Sequence, residues 1–127
     1  MAYGGSGFML VWYYSLDVYA RGLSTAGAFT TSVINIAHST SSTYYPEAAY
    51  DGTNFFAAWY DYRNSSTTGT DIYGQRFSKT GTLLGTTKSA NLAISKAPLY
   101  QYYPSVTYCG GKYNVVFRDA RYPSYYT

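Results

Sequence analysis

Charge is scarce in this chain. Asp, Glu, Lys and Arg make up 12% of its 127 residues, against about a quarter in ordinary soluble domains. Nine basic and six acidic residues leave a net charge of +3. The bases, from Arg21 through Arg63, Arg76 and Lys88 to Arg121, form no block, so the footprint of a nucleic-acid binder is missing. A single cysteine, Cys109, excludes an internal disulfide and a cysteine metal site. The one histidine, His38, sits in a Ser/Thr loop, and no Gly-x-Ser-x-Gly elbow accompanies it. No apolar run approaches the roughly 18 residues of a membrane-spanning helix. The aromatic run from Phe8 to Tyr14 lacks the basic lead of a signal peptide, and no stretch combines helical periodicity with caps. Neither nucleic acid nor membrane is an expected partner, and no cofactor or metal is expected. The composition resembles that of extracellular proteins, but localisation stays open.

What the chain has in excess is tyrosine, 18 residues within an aromatic fraction of 20%. With Phe, Thr and Val, this favours β-strands. The tyrosines recur in register. Tyr44-Tyr45-Pro46 through Tyr50-Asp51-Gly52 matches Tyr102-Tyr103-Pro104 through Tyr108-Cys109-Gly110 at an offset of 58, continuing through Trp59/Phe117, Asp61/Asp119 and Arg63/Arg121. At an offset of 47, Tyr3, Gly5, Phe8 and Trp12 fall on Tyr50, Gly52, Phe55 and Trp59. At an offset of 54, Asp17-Val18-Tyr19 through Gly27 falls on Asp71-Ile72-Tyr73 through Gly81. Segments that recur in one order mark a repeat architecture.

Each segment has strand character. Strand a covers 45–51 and leads into a tight turn at Asp51-Gly52-Thr53-Asn54, where Gly and Asn supply positive φ. Strand b, Phe55 to Asp61, is apolar on both faces and belongs between two packed layers. Strand c, Asp71 to Ser78, alternates, with Tyr73 and Phe77 on one face and Arg76 on the other. A weaker strand d begins at Leu83-Leu84 and reaches toward Leu92. Nine strands result (b, c and d of a first unit, all four of a second, a and b of a third), and the tail from Tyr122 to Thr127 is a candidate tenth.

These residues also carry a resemblance. Ala48 to Asn64 (AAYDGTNFFAAWYDYRN), followed by Asp71 to Gly85 (DIYGQRFSKTGTLLG), is similar to the repeats of a broad group of bacterial β-propeller-like proteins. The DIYGQRF-x-x-x-G element is the most specific part; unit one departs from it (DVYARGLSTAG) and unit three lacks it. The resemblance implies an all-β fold of four-stranded antiparallel blades, about two and a quarter per chain. Residues 1–127 then form one domain, with a partial unit at 3–43, a full unit at 44–101 and a partial unit at 102–127. So few blades leave two open flanks, each exposing aromatic surface, and no capping unit. Sister copies of the chain are the expected cover, making it a homo-oligomer.

The chemistry is thin. Asp61-x-Arg63 and Asp119-x-Arg121 end strand b in two units, as a binding rim or as an architectural turn clasp. The longer 61–71 segment could offer Asp61, Asn64 and Asp71 to a cation, but its spacing matches no calcium loop. Doubled tyrosines cannot all face inward, because strand neighbours point to opposite sides. Candidate ligand-binding residues are therefore Tyr44, Tyr45, Tyr62, Arg63, Tyr102, Tyr103 and Arg121, with sugar faces as the second expected partner after the chain itself. The function expected is a non-catalytic binding or scaffolding module. The alternative is a glycan-active hydrolase using rim carboxylates.

Overall fold

The computed structural model describes residues 1–121; the expected tail strand from Tyr122 and the pair Tyr125-Tyr126 lie outside the described residues. The fold is all-β, with eleven strands and no helix among those residues: β1 Ala2–Tyr3, β2 Gly7–Tyr14, β3 Asp17–Ser24, β4 Ile34–His38, β5 Thr43–Tyr50, β6 Asn54–Asp61, β7 Asp71–Ser78, β8 Leu83–Leu84, β9 Leu92–Ser95, β10 Gln101–Cys109 and β11 Lys112–Asp119. They form three antiparallel sheets. The first is β1-β2-β3-β4, the middle one β5-β6-β7-β8 with β9 also on β7, and the third β10-β11. No closed barrel or closed propeller forms among the described residues.

Strand b reads as expected. In β6, Phe55, Ala57 and Trp59 enter one core with Met9, Val18, Ala20 and Ile36 of the first sheet. Phe56, Ala58 and Tyr60 enter a second core with Val106, Tyr113, Val115 and Phe117 of the third. The middle sheet is thus packed on both faces. Strands b and c pair over eight residues without a break, Gly7 to Tyr14 on Ser24 to Asp17 and Asn54 to Asp61 on Ser78 to Asp71.

Four expectations are corrected. Strand d of the full unit is not continuous. Gly85 takes φ 81°, and buried Gln75 serves the gap between β8 and β9, donating to Leu84 O at 3.4 Å and accepting from Thr86 Oγ1 at 2.6 Å. A stub of strand a also survives in the first unit, where Ala2 and Tyr3 pair with Met9 and Phe8. In the 51–54 turn only Gly52 has positive φ, 98°. Asn54 instead starts β6, and Asp51 Oδ1 accepts the N–H groups of Thr53 and Asn54 at 2.8 and 2.7 Å. Finally, the two flanks differ. The outer face of the third sheet presents Ser105, Thr107, Asn114 and Arg118, with Val116 as its main apolar exposure. The outer face of the first sheet carries Phe8, Leu10, Trp12, Tyr19 and Leu23, all half-buried.

Gly74 shows how tight the second core is. A Cβ there would collide with the Phe56 ring and come within 3.0 Å of the Ala57 carbonyl oxygen. Gly74→Val should lower stability by about 1–3 kcal/mol, through overpacking. Urea unfolding checks this: an unchanged midpoint would show that the core is looser than described.

Candidate functional site

Each Tyr-Tyr-Pro enters its sheet from a fixed anchor. Thr43 is fully buried, gives its N–H to Ser15 O at 3.1 Å and its Oγ1 to Asp17 O at 3.1 Å. Gln101, the equivalent position, gives its N–H to Thr70 O at 3.0 Å and accepts Thr70 Oγ1 on its carbonyl at 2.7 Å. Both strands therefore start latched to the stretch where the preceding unit passes from strand b to strand c. A β-bulge follows in each, between Tyr44 and Glu47 and between Tyr102 and Ser105. Inside the bulges Tyr45 has φ 50° and Tyr103 φ 51°. A bulky residue in the left-handed region is uncommon and costs on the order of 1–3 kcal/mol. Its recurrence at the same repeat position makes it a feature of the fold.

The bulges overturn strict alternation. Tyr44 and Tyr45, though neighbours, both stack on Tyr60, at centroid distances of 5.5 and 5.9 Å. Tyr102 and Tyr103 both meet the same ring edge-on, at 5.3 and 5.9 Å. Tyr45 and Tyr103 touch each other at 5.1 Å, and Tyr62 packs edge-on against Tyr44 at 5.8 Å. Five of the seven expected site residues thus converge on one aromatic ridge. The second tyrosine of each pair stays open, 51% for Tyr45 and 53% for Tyr103. Between them runs a groove of about 240 Å³ lined by Tyr45, Pro46, Glu47, Tyr103 and Pro104.

Three ridge members were not among the expected site residues. Tyr60, assigned to the core by alternation, is the hub; Tyr13 reaches Tyr44 at 5.2 Å from the first sheet, and Tyr100 stacks on Tyr102 at 5.8 Å. Tyr100 is two residues from Tyr102, a spacing that puts both on one face of an extended strand. Burial, and next the neighbouring phenols, push the Tyr60 and Tyr62 hydroxyls above the ordinary phenol pKa, and Tyr102 shifts the same way.

Each of the two arginines clasps the aspartate two residues before it. Arg63 is bound to its own strand end: Nε reaches both Asp61 oxygens at 3.0 and 2.9 Å, and Nη2 reaches Asp61 Oδ2 at 2.6 Å and Asn91 Oδ1 at 3.1 Å. Its guanidinium lies 3.9 Å over the Tyr73 ring. Arg121 repeats the clasp on Asp119, Nε reaching the two oxygens at 3.1 and 2.9 Å. The Asp-x-Arg pair thus closes the end of strand b in both units. Nor do Asp61, Asn64 and Asp71 face one another as oxygen donors, because Asn64 turns Nδ2 to Asp71 Oδ2 at 2.6 Å and to Tyr73 OH at 2.8 Å. In the first unit Asp17 accepts from Asn35 at 3.0 Å and lies 2.8 Å from His38 Nδ1. Burial would raise the Asp17 pKa, but these hydrogen bonds and that of Tyr19 outweigh it and hold the carboxyl below its ordinary value.

Two tests follow from this geometry. Removing the Arg63 guanidinium leaves the fully buried Asp61 charge unpaired, so Arg63→Ala should cost on the order of 3–5 kcal/mol in thermal or urea unfolding. Arg121→Ala, with an exposed pair, should cost much less. In alkali, a phenol whose folded pKa is raised contributes stability that is whole below the unfolded value of about 10 and is lost as pH climbs above it. Tyrosinate absorbance should therefore rise in at least two steps, the later one coinciding with unfolding. One step at the ordinary value, in a chain still folded, would contradict the ridge.

No protein family, curated protein or solved structure was found to match this chain.

Proposed function

We propose that the chain is a non-catalytic, propeller-like binding and scaffolding module of about two and a quarter four-stranded blades, which assembles with copies of itself and binds carbohydrate through its tyrosine ridge. The observation that carries the binding role is the pair Tyr45 and Tyr103. Two rings at equivalent repeat positions are held half-exposed by strained backbone, φ 50° and 51°, against a rigid aromatic base. Strain kept at a repeated position points to use of the ring it places. Such faces suit the C–H side of a sugar ring, and Glu47 in the groove suits its hydroxyl donors. A glycan-active hydrolase needs two carboxylates across one cleft. Here the ridge groove carries Glu47, while Asp61 and Asp71 are fully buried and engaged by Arg63 and Asn64, which favours binding.

Self-assembly is supported by the apolar flank. Phe8, Leu10, Trp12, Tyr19 and Leu23 occupy the repeat positions of Phe55, Ala57, Trp59, Tyr73 and Phe77, and all of the latter are at most 5% exposed. The first sheet buries those residues, but no sheet covers its own matching face among the described residues. The other flank is polar, so the apolar face fits a second copy of itself in a closed two-fold contact.

On a glycan array the purified chain should retain sugars, and Tyr45→Ala and Tyr103→Ala should each weaken binding about three- to tenfold. Silence from a folded chain would remove the carbohydrate role. Mass measurement at micromolar concentration should show a dimer, with Trp12→Glu shifting it to monomer. A well-folded wild-type monomer would remove the assembly.

A further inference from the structure

One carboxylate of this chain has no partner among the described residues. Of the six acidic residues, Asp17, Asp51, Asp61, Asp71 and Asp119 are all held by hydrogen bonds. The sixth, Glu47, is exposed, and its carboxylate makes neither a hydrogen bond nor an ion pair there. It lines the groove between Tyr45 and Tyr103. Its backbone is fixed where the bulge of β5 ends, paired with Ala58. The rest of the lining is poor in donors, since Pro46 and Pro104 carry no N–H. No Lys or Arg lines the groove among the described residues, and Arg118, opposite Tyr102 on β11, stands outside it. The rings complete the arrangement. Tyr45 and Tyr103 meet at 5.1 Å with their planes 74° apart. Two aromatic planes near a right angle bound a corner, and a cation placed there meets the negative face of both. Tyr45 is stacked on Tyr60 and Tyr103 stands edge-on to it, so neither ring leaves the corner without losing a contact.

We propose that this corner is a cation subsite, and that the sugar taken by the tyrosine ridge is one carrying a protonated amine, a hexosamine without its acetyl group. The inference rests on the carbohydrate reading given above and narrows it. A neutral pyranose offers hydroxyls that both donate and accept, and it leaves the Glu47 charge uncompensated. An ammonium has three donors and no acceptor. That matches a lining made of a carboxylate, two π faces and phenol oxygens. The subsite is single, because the repeat equivalent of Glu47 in the third unit is Ser105. The two exposed tyrosines therefore share one carboxylate. A net charge of +3 opposes any general attraction to a polycation, so a preference for the amine has to arise at the groove.

Isothermal calorimetry on the full chain with three β-1,4-linked hexamers, of glucosamine, of N-acetylglucosamine and of glucose, tests the subsite. In mildly acidic buffer at low salt, where the amines are protonated, the glucosamine hexamer should bind about five- to tenfold more tightly than the other two. Added salt should shrink that advantage by screening the charge. Glu47→Gln, at an exposed site that leaves the circular dichroism unchanged, should erase the advantage and keep binding of the glucose hexamer within about twofold. Equal binding of the three hexamers, or a preference that survives Glu47→Gln, would overturn the subsite and leave carbohydrate binding in place. Absence of binding by all three, with a neutral glycan still retained on the array, would do the same. Silence on the array as well would remove both.

Discussion

A strand with large apolar side chains on both faces cannot end at solvent, and β6 is such a strand. Phe55, Ala57 and Trp59 require one covering layer, Phe56, Ala58 and Tyr60 another. Full burial of a large apolar side chain is worth about 1.5–3 kcal/mol, so exposing either face would remove several such contributions together. The three-layer stack follows from this requirement. So does the polar seal at the strand's end, where Trp59 Nε1 donates to Asp61 at 3.3 Å and Arg63 neutralises the same carboxylate. A buried charge without that guanidinium would oppose the packing it terminates.

The tyrosine ridge depends on the same strand by way of Tyr60. Period-two alternation would send one tyrosine of each doublet away from it. The left-handed residue in each bulge turns the second ring back, so that four rings from two strands meet Tyr60. Backbone strain of about 1–3 kcal/mol per site is offset by ring contacts worth about 0.5–1.5 kcal/mol each beyond burial. Tyr45 makes three such contacts, with Tyr13, Tyr60 and Tyr103. Exposure of its remaining surface is therefore a consequence of rigid placement; a loosely held ring would lose that orientation.

The sequence made strands b and c legible, because alternation and turn chemistry act within a few residues. The position of the Asp51-Gly52 turn and the apolar character of Phe55 to Tyr60 on both faces are local properties. The bulges were not legible: nothing in Tyr-Tyr-Pro states that φ at the second tyrosine is positive until a ring such as Tyr60 waits on the other side. Gln75 was equally silent, since its role depends on Leu84, Thr86 and Asn91, which come from later in the chain. Arg63 could be read as a rim residue because its partners Asn91 and Tyr73 lie 28 and 10 positions away. Of the five candidate ligand residues on the ridge, four are the doubled tyrosines, and doubling a large aromatic forces an explanation wherever it occurs; Tyr62 is the fifth.

The repeat also separates what a sheet needs for itself from what it needs for a neighbour. The inner faces of β6 and β11 keep their type, Phe55, Ala57 and Trp59 against Tyr113, Val115 and Phe117. The outer face changes, with Asn114, Val116 and Arg118 standing where the middle sheet has Phe56, Ala58 and Tyr60. Backbone pairing tolerates the change, since strand-b geometry is set by the ladder and not by the identity of the outward side chain. The stack is therefore directional, with a polar face at one end and an apolar one at the other. In such a stack the polar end meets water unaided, whereas apolar surface left open at the other end is unfavourable by roughly 25 cal/mol per Å².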